Sequence, residues 1–268
     1  MNDHLSKPPE FSWQLFWSLF VAAVIGIAGI IPAALQIFGS SFDRTQFPPI
    51  SLPVIITLGV IQNLVLLGLF VGLGLKLSGK VGLGAVLTES WLNGEPVLDR
   101  ALKALGFGIM AGFFVGVVLV PLTLLLVPHL PKLPFVAAAK LSIWKRFLMC
   151  FYGGLYEEIF SRLFLLSLFA WLLNKSWRKD RGQLTNGAFW SANLIVAILF
   201  GLGHLPSASL LMPITTLVVV AALTLNGIAA IVFGWLYRQR GLEVAMIGHF
   251  TADFVLYVIG PTFLMWRP

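Results

Sequence analysis

Residues Phe147 to Leu173 read FLMCFYGGLYEEIFSRLFLLSLFAWLL, an apolar run with Glu157, Glu158 and Arg162 inside it. The run is long enough to span a bilayer, which takes about 20 residues. A carboxylate at bilayer depth costs on the order of 3 kcal/mol by insertion scales. Three ionisable groups within six residues therefore require a compensating reason. Residues four apart share a helix face, so Glu158 and Arg162 can pair. Glu157 is expected to point elsewhere, on the face of Ser161 and Phe164. One carboxylate is then neutralised and the other is left free in a medium of low dielectric, the setting of a general acid or base. A purely structural ion pair beside a protonated glutamate is the plainer alternative.

The rest of the chain agrees with a membrane reading. Of 268 residues, 58% are hydrophobic and only 11% charged, and the mean hydropathy is +0.92. Ordinary soluble domains carry about 25% charged residues. Seven apolar stretches stand out: Phe11–Phe38, Leu52–Leu77, Ala104–Val127, Phe147–Leu173, Ala188–Leu205, Leu210–Tyr237 and Leu242–Leu264. The fold class expected is an all-α polytopic membrane protein of about seven transmembrane helices, with six to eight as the range. The fifth stretch is short. The sixth contains Pro213 and reads as one tilted helix or as a helix plus a short broken piece. The polar connection Ser78–Lys103 reads as an interfacial amphipathic piece. An organisation follows of residues 1–146 with three spans and residues 147–268 as the region carrying the polar clusters.

The net charge of +7 does not indicate nucleic acid, because the Lys and Arg lie in short loops between apolar runs. With a cytoplasmic N-terminus, the inner segments hold eleven basic residues and the outer ones six, with Arg162 inside a span. That bias predicts the N-terminus inside and the C-terminus outside, with the basic loop Pro128–Lys145 as an exception; the plasma membrane is the location expected. Cys150, the single cysteine, rules out an intrachain disulfide.

Two further polar clusters lie in apolar segments. His204 ends the run LFGLGH, 199–204, whose glycines allow close packing or local unwinding. His249 and Asp253 are four apart, so the aspartate can orient the imidazole, fix its tautomer or share a metal with it. Each cluster alone reads equally well as a buried interhelical contact. Together they supply Glu, His, His and Asp, the set used to activate water with or without a metal. The span limits place Glu157 roughly 24 Å from the cytoplasmic end and His249 only about 10 Å. Tilt, a later start to the fifth span, a dipping segment near Pro206, or a broken sixth segment would reconcile the two depths.

The series Glu157-Glu158-x-x-x-Arg162, Phe200-x-x-x-His204 and His249-x-x-x-Asp253 resembles the CPBP family, the CAAX prenyl endopeptidases and Abi bacteriocin-processing or immunity proteins. The resemblance covers residues Phe147 to about Leu256. It implies an intramembrane endopeptidase in which Glu157 and His204 activate water. His249 and Asp253 would complete the site or stabilise an oxyanion, with Glu158 and Arg162 in support. The implied partners are a peptide or lipid-modified protein substrate and membrane lipids. The implied cofactor is zinc, with a metal-free site as the alternative; Glu157, His204, His249 and Asp253 are the candidate ligands. An ionised aspartate cannot donate a hydrogen bond, so the role of Asp253 stays open between these mechanisms. A non-enzymatic immunity or scaffold protein is the rival reading. A proton-coupled transporter would be expected to show duplicated halves, and none is visible.

Overall fold

The computed structural model describes residues 11–38, 52–130, 134–176 and 184–261. The expected tail Ser6–Pro9, the middle of the basic loop 174–187 and the end of the last apolar stretch at Leu264 lie outside them. Among the described residues all regular structure is helical. Seven helices are long and apolar enough to cross a membrane, and the chain is an integral membrane protein.

The first three spans are α1 (Trp13–Phe38), α2 (Leu52–Val81) and α4 (Leu98–Leu126). A seven-residue helix, α3 (Val86–Leu92), lies between the second and third. The 78–103 connection thus holds a short helix, but Leu98 to Lys103 belong to the third span instead. The connection after α4 contains the short α5 (Pro134–Ala139). The fourth span is one continuous run, Ile143–Ser176, made of α6 (Ile143–Phe151), two π-helical stretches (Tyr152–Glu157 and Ile159–Leu166) and α7 (Ser167–Ser176). It begins four residues before the expected Phe147. Arg146, counted from sequence among the outer loop charges, is therefore a buried helical residue whose guanidinium donates to the Tyr257 carbonyl at 3.3 Å.

The fifth span is α8 (Asn186–Gly203), capped by Thr185, whose hydroxyl accepts from the Ala188 N–H. His204 makes the turn into the short α9 (Leu205–Ser209). The sixth span, α10, runs unbroken from Thr216 to Arg240, so Pro213 sits in the connection before it rather than inside a helix. α11 (Leu242–Asp253) and a last π-helical stretch (Phe254–Ile259) form the seventh.

Close approach of helices needs small residues, because lipid tails offer no hydrophobic drive for association. Gly108, Gly112 and Gly116 recur every four residues on one face of α4. A Cβ at Gly108 would come within 2.8 Å of Ile247, one at Gly112 would meet the Gly248 carbonyl, and one at Gly116 would lie 2.5 Å from Val255. This face of α4 is the bed on which α11 lies. Gly241 separates α10 from α11 with a φ of +92°, a conformation that side chains with a Cβ rarely adopt. The corner is pinned from outside: the Leu242 N–H donates to the Gly84 carbonyl at 3.0 Å, and the Thr88 N–H donates to Glu243 Oε1 at 2.7 Å.

Large apolar side chains such as Trp17, Phe114 and Leu125 are more than half exposed, whereas Glu158 and Arg162 have no exposure at all. That is the inverse of a soluble protein and the order a bilayer demands, with polar groups inside and apolar groups facing lipid.

Candidate active site

Glu157 and Glu158 sit where the two π-helical stretches of the fourth span meet. π-helical turns are rare and occur mostly as local bulges at functional sites. The widened turn changes the expected fan of side chains. Glu158 does pair with Arg162, Oε2 to Nε at 3.3 Å, with both side chains fully buried. Glu157 does not point away from it. Both carboxylates reach His249, from its two ring nitrogens: Glu158 Oε1 lies 2.7 Å from Nδ1, and Glu157 Oε2 lies 3.7 Å from Nε2.

A carboxylate facing a guanidinium offers only acceptors, so the His249 Nδ1–H donates to Glu158. The sequence left Asp253 as a candidate to orient His249. The structure gives that role to Glu158. Asp253 stands on the other side, with Oδ2 at 3.8 Å from Nε2, beyond a direct hydrogen bond. The ring is further held by Phe233, stacked at 4.7 Å between centroids and 25° between planes.

His204 comes from the turn that ends α8. Its Nδ1–H donates to the Phe200 carbonyl at 2.7 Å, leaving Nε2 to face Glu157 Oε1 at 3.8 Å. Phe200 packs edge-on against His204, with 4.8 Å between ring centroids. His204 is the most open member of the cluster, with 35% of its side chain exposed against 17% for Glu157 and 6% for His249. Both imidazoles thus turn Nε2 toward one carboxylate, and each has its Nδ1 committed to an acceptor behind it.

The predicted residues are therefore brought together, all six of them. The expected mismatch of depth disappears for a simple reason. The Tyr237 and Ser167 hydroxyls meet at 3.1 Å, so α10 packs beside the fourth span one turn before its corner with α11. His249, seven residues into α11, then lies 2.7 and 3.7 Å from the two glutamates, at their level. Neither a broken sixth helix nor a re-entering chain is needed.

Several supports were not singled out from sequence. Arg162 donates to Ser161 Oγ and, at 3.2 Å, to the Ala230 carbonyl, and its guanidinium lies 5.3 and 5.7 Å from the rings of Phe200 and Phe233. Ser161 Oγ in turn donates to the Glu157 carbonyl. Gly153 forms the floor: a Cβ there would strike the Asp253 carboxylate and come within 3.0 Å of His249 Nε2. Its neighbour Gly154 instead faces Phe250 Cβ at 2.8 Å and the Met246 carbonyl at 3.0 Å. The signal for both was the Gly-Gly pair one turn before the glutamates. We expect Gly153→Ala to lower turnover at least tenfold by displacing Asp253 and His249. Gly154→Ala should instead act mainly on stability, by the roughly 1–3 kcal/mol of an overpacked contact. Steady-state kinetics beside thermal unfolding in detergent separates the two; equal kinetic losses would show that Gly153 has no special place at the site.

Among the described residues no three His, Cys, Asp or Glu side chains converge in a way that would hold a metal ion. His249 Nδ1 and His204 Nδ1 are spent on protein acceptors, while both Nε2 atoms face Glu157.

No curated protein and no solved structure matches the chain. Residues 139–255, which hold every residue of the cluster, do match a family, described as type II CAAX prenyl endopeptidase Rce1-like. A peptidase family agrees with a cluster of carboxylates and imidazoles gathered around one point inside a helical bundle. Over residues 139–255 the chain is thus similar to the Rce1-like type II CAAX prenyl endopeptidases.

Proposed function

We propose that the protein is an intramembrane endopeptidase that hydrolyses a peptide bond of a peptide or lipid-modified protein, as in CAAX-type processing. The observation that carries this reading is the position of Glu157, which faces the Nε2 atoms of two histidines at 3.8 and 3.7 Å. Those separations are too long for direct hydrogen bonds and short enough for one water to bridge.

In this reading Glu157 takes a proton from a water held against His204 Nε2. The oxygen attacks the scissile carbonyl, and Glu157 then passes the proton to the leaving amine. His249, carrying a proton on each nitrogen, donates from Nε2 to the developing oxyanion while Glu158 holds Nδ1. Asp253 faces the same Nε2 and steadies the charge there. Arg162 keeps the Glu158 carboxylate in place at the rear. The closed apolar surroundings strengthen each of these interactions relative to water.

Cleavage of a synthetic lipidated peptide by the purified protein in vesicles is the test. Tight chelators should leave turnover unchanged. Asp253→Asn should retain at least a tenth of parent activity, because an amide still donates and accepts beside His249. Loss of activity on chelation, restored by zinc, would overturn the metal-free mechanism. Failure of the parent protein to cleave any such peptide, while binding it, would favour a non-enzymatic scaffold.

The basic bias adds an orientation, with N-terminus and the 174–187 loop in the cytoplasm. A cysteine placed at Ser176, at the exposed end of α7, should be protected from an impermeant thiol reagent in intact cells and labelled after lysis. Labelling in intact cells would reverse the topology.

A further inference from the structure

The α10–α11 corner encloses a second polar feature, well away from the carboxylate cluster. A cavity of about 320 Å³ opens there between α4, the 82–87 turn and the end of α10. Four cations line it: Arg100 and Lys103 from α4, Arg238 and Arg240 from α10. Among its described lining residues there is no Asp or Glu. Like charges gathered in one concavity repel one another unless an anion joins them.

The partners of these cations leave most of the charge uncancelled. Arg238 donates to Asn186 Oδ1 at 2.7 Å and lies 4.4 Å over the Phe189 ring. Arg240 lies 4.7 Å over the Phe107 ring. Amide and aromatic partners fix a guanidinium in place without neutralising it. Arg100 does pair with Glu95 at 2.9 Å, but both side chains are about half exposed, and such a pair is weak. Lys103 has no anionic partner among the described residues.

We propose that this cavity binds the phosphate headgroup of an anionic phospholipid. A phosphate ester is the chemistry that Arg and Lys residues lining one cavity recognise. A lipid rather than a soluble phosphate is favoured by what continues from the cavity into the bilayer. Lys103, Phe107, Met110 and Phe114 follow one another on a single face of α4 at helical spacing. Met110 is 50% exposed and Phe114 is 62% exposed. The ring of Phe107 meets that of Trp235 on α10 at 6.3 Å, so the stripe follows the α4–α10 seam. A headgroup among the four cations would lay an acyl chain along this seam. Basic pockets between transmembrane helices are suited to such headgroups. The site is independent of the peptidase reading, yet it grips the corner from which α11 carries His249 and Asp253.

The test is native mass spectrometry of the full-length protein in detergent, titrated with short-chain phosphatidylglycerol, phosphatidylcholine or inorganic phosphate. Phosphatidylglycerol should bind stoichiometrically, with phosphatidylcholine and inorganic phosphate at least tenfold weaker. The Lys103→Ala/Arg240→Ala variant should lose roughly 30-fold in affinity, from about 1 kcal/mol for each basic residue near the surface. Lys80→Ala/Lys175→Ala removes the same charge at the same end of the bundle, beside Trp171 and outside the cavity. It should bind as the parent does. An equal loss in both variants would reduce the effect to general surface charge and overturn the site. Tight binding of inorganic phosphate alone would overturn the lipid assignment.

Discussion

Glu157→Gln is expected to abolish turnover while leaving the protein folded and inserted. Among the described residues the carboxylate is the only group that faces both Nε2 atoms, and its side chain is partly open, with 17% exposed. Glutamine has nearly the same shape and can still accept a hydrogen bond, but it cannot take a proton from water. Loss of a positioned general base typically costs 10²–10⁴-fold in rate. The measurement is single-turnover cleavage of the lipidated peptide, beside a thermal unfolding curve. The curve should match that of the parent, because Glu157 makes no direct side-chain hydrogen bond that holds helices together. Parent-like cleavage by this variant would remove Glu157 as the base. A parent-like rate combined with lost activity in Asp253→Asn would move the base to Asp253.

The second large effect concerns the buried pair behind the site. Arg162→Met leaves the Glu158 carboxylate fully buried without the guanidinium, with only His249 beside it. Removing one partner of a buried ion pair costs about 3–5 kcal/mol, because the remaining charge stays out of water. The variant should therefore unfold much earlier in denaturant or fail to accumulate in the membrane. Replacing both partners, Glu158→Gln with Arg162→Met, should recover much of that stability. It should not recover activity, since the glutamine can still accept from His249 Nδ1 but lacks the negative charge that Glu158 holds against the imidazolium at 2.7 Å. A fully active double variant would show that His249 needs no carboxylate behind it. An unstable double variant would show that the pair contributes more than mutual neutralisation, through the Arg162 bonds to Ser161 and to the Ala230 carbonyl.

These two variants also separate chemistry from architecture. Glu157 and Glu158 are adjacent in the chain and both touch His249, yet one is expected to act on rate and the other on rate and stability together. The difference follows from burial. Glu158 is closed off on every side, whereas Glu157 opens toward His204, which is itself about one third exposed.

Much of this protein was legible from composition and local spacing. Long apolar runs report transmembrane helices because a bilayer leaves the backbone no other partners. The seven spans were therefore readable, as were the polar residues that had to face inward. The Glu158–Arg162 pair followed from helical spacing alone, since it lies within one helix. The three motifs in order carried the family resemblance. The orientation of His249 was not legible, because Glu158, which holds it, lies 91 residues away on another span. Nor was the convergence of both glutamates on one imidazole, since that depends on a π-helical turn rather than on α-helical spacing. The level at which α10 packs against Ser167 through Tyr237 depends on helix packing, which no one segment encodes. Only the packed bundle showed that the Gly108, Gly112 and Gly116 face carries α11. Local sequence determines which groups must be buried, through the cost of exposing them to lipid. Which of them meet is decided by how deep each helix sits against its neighbours, a property of the whole bundle.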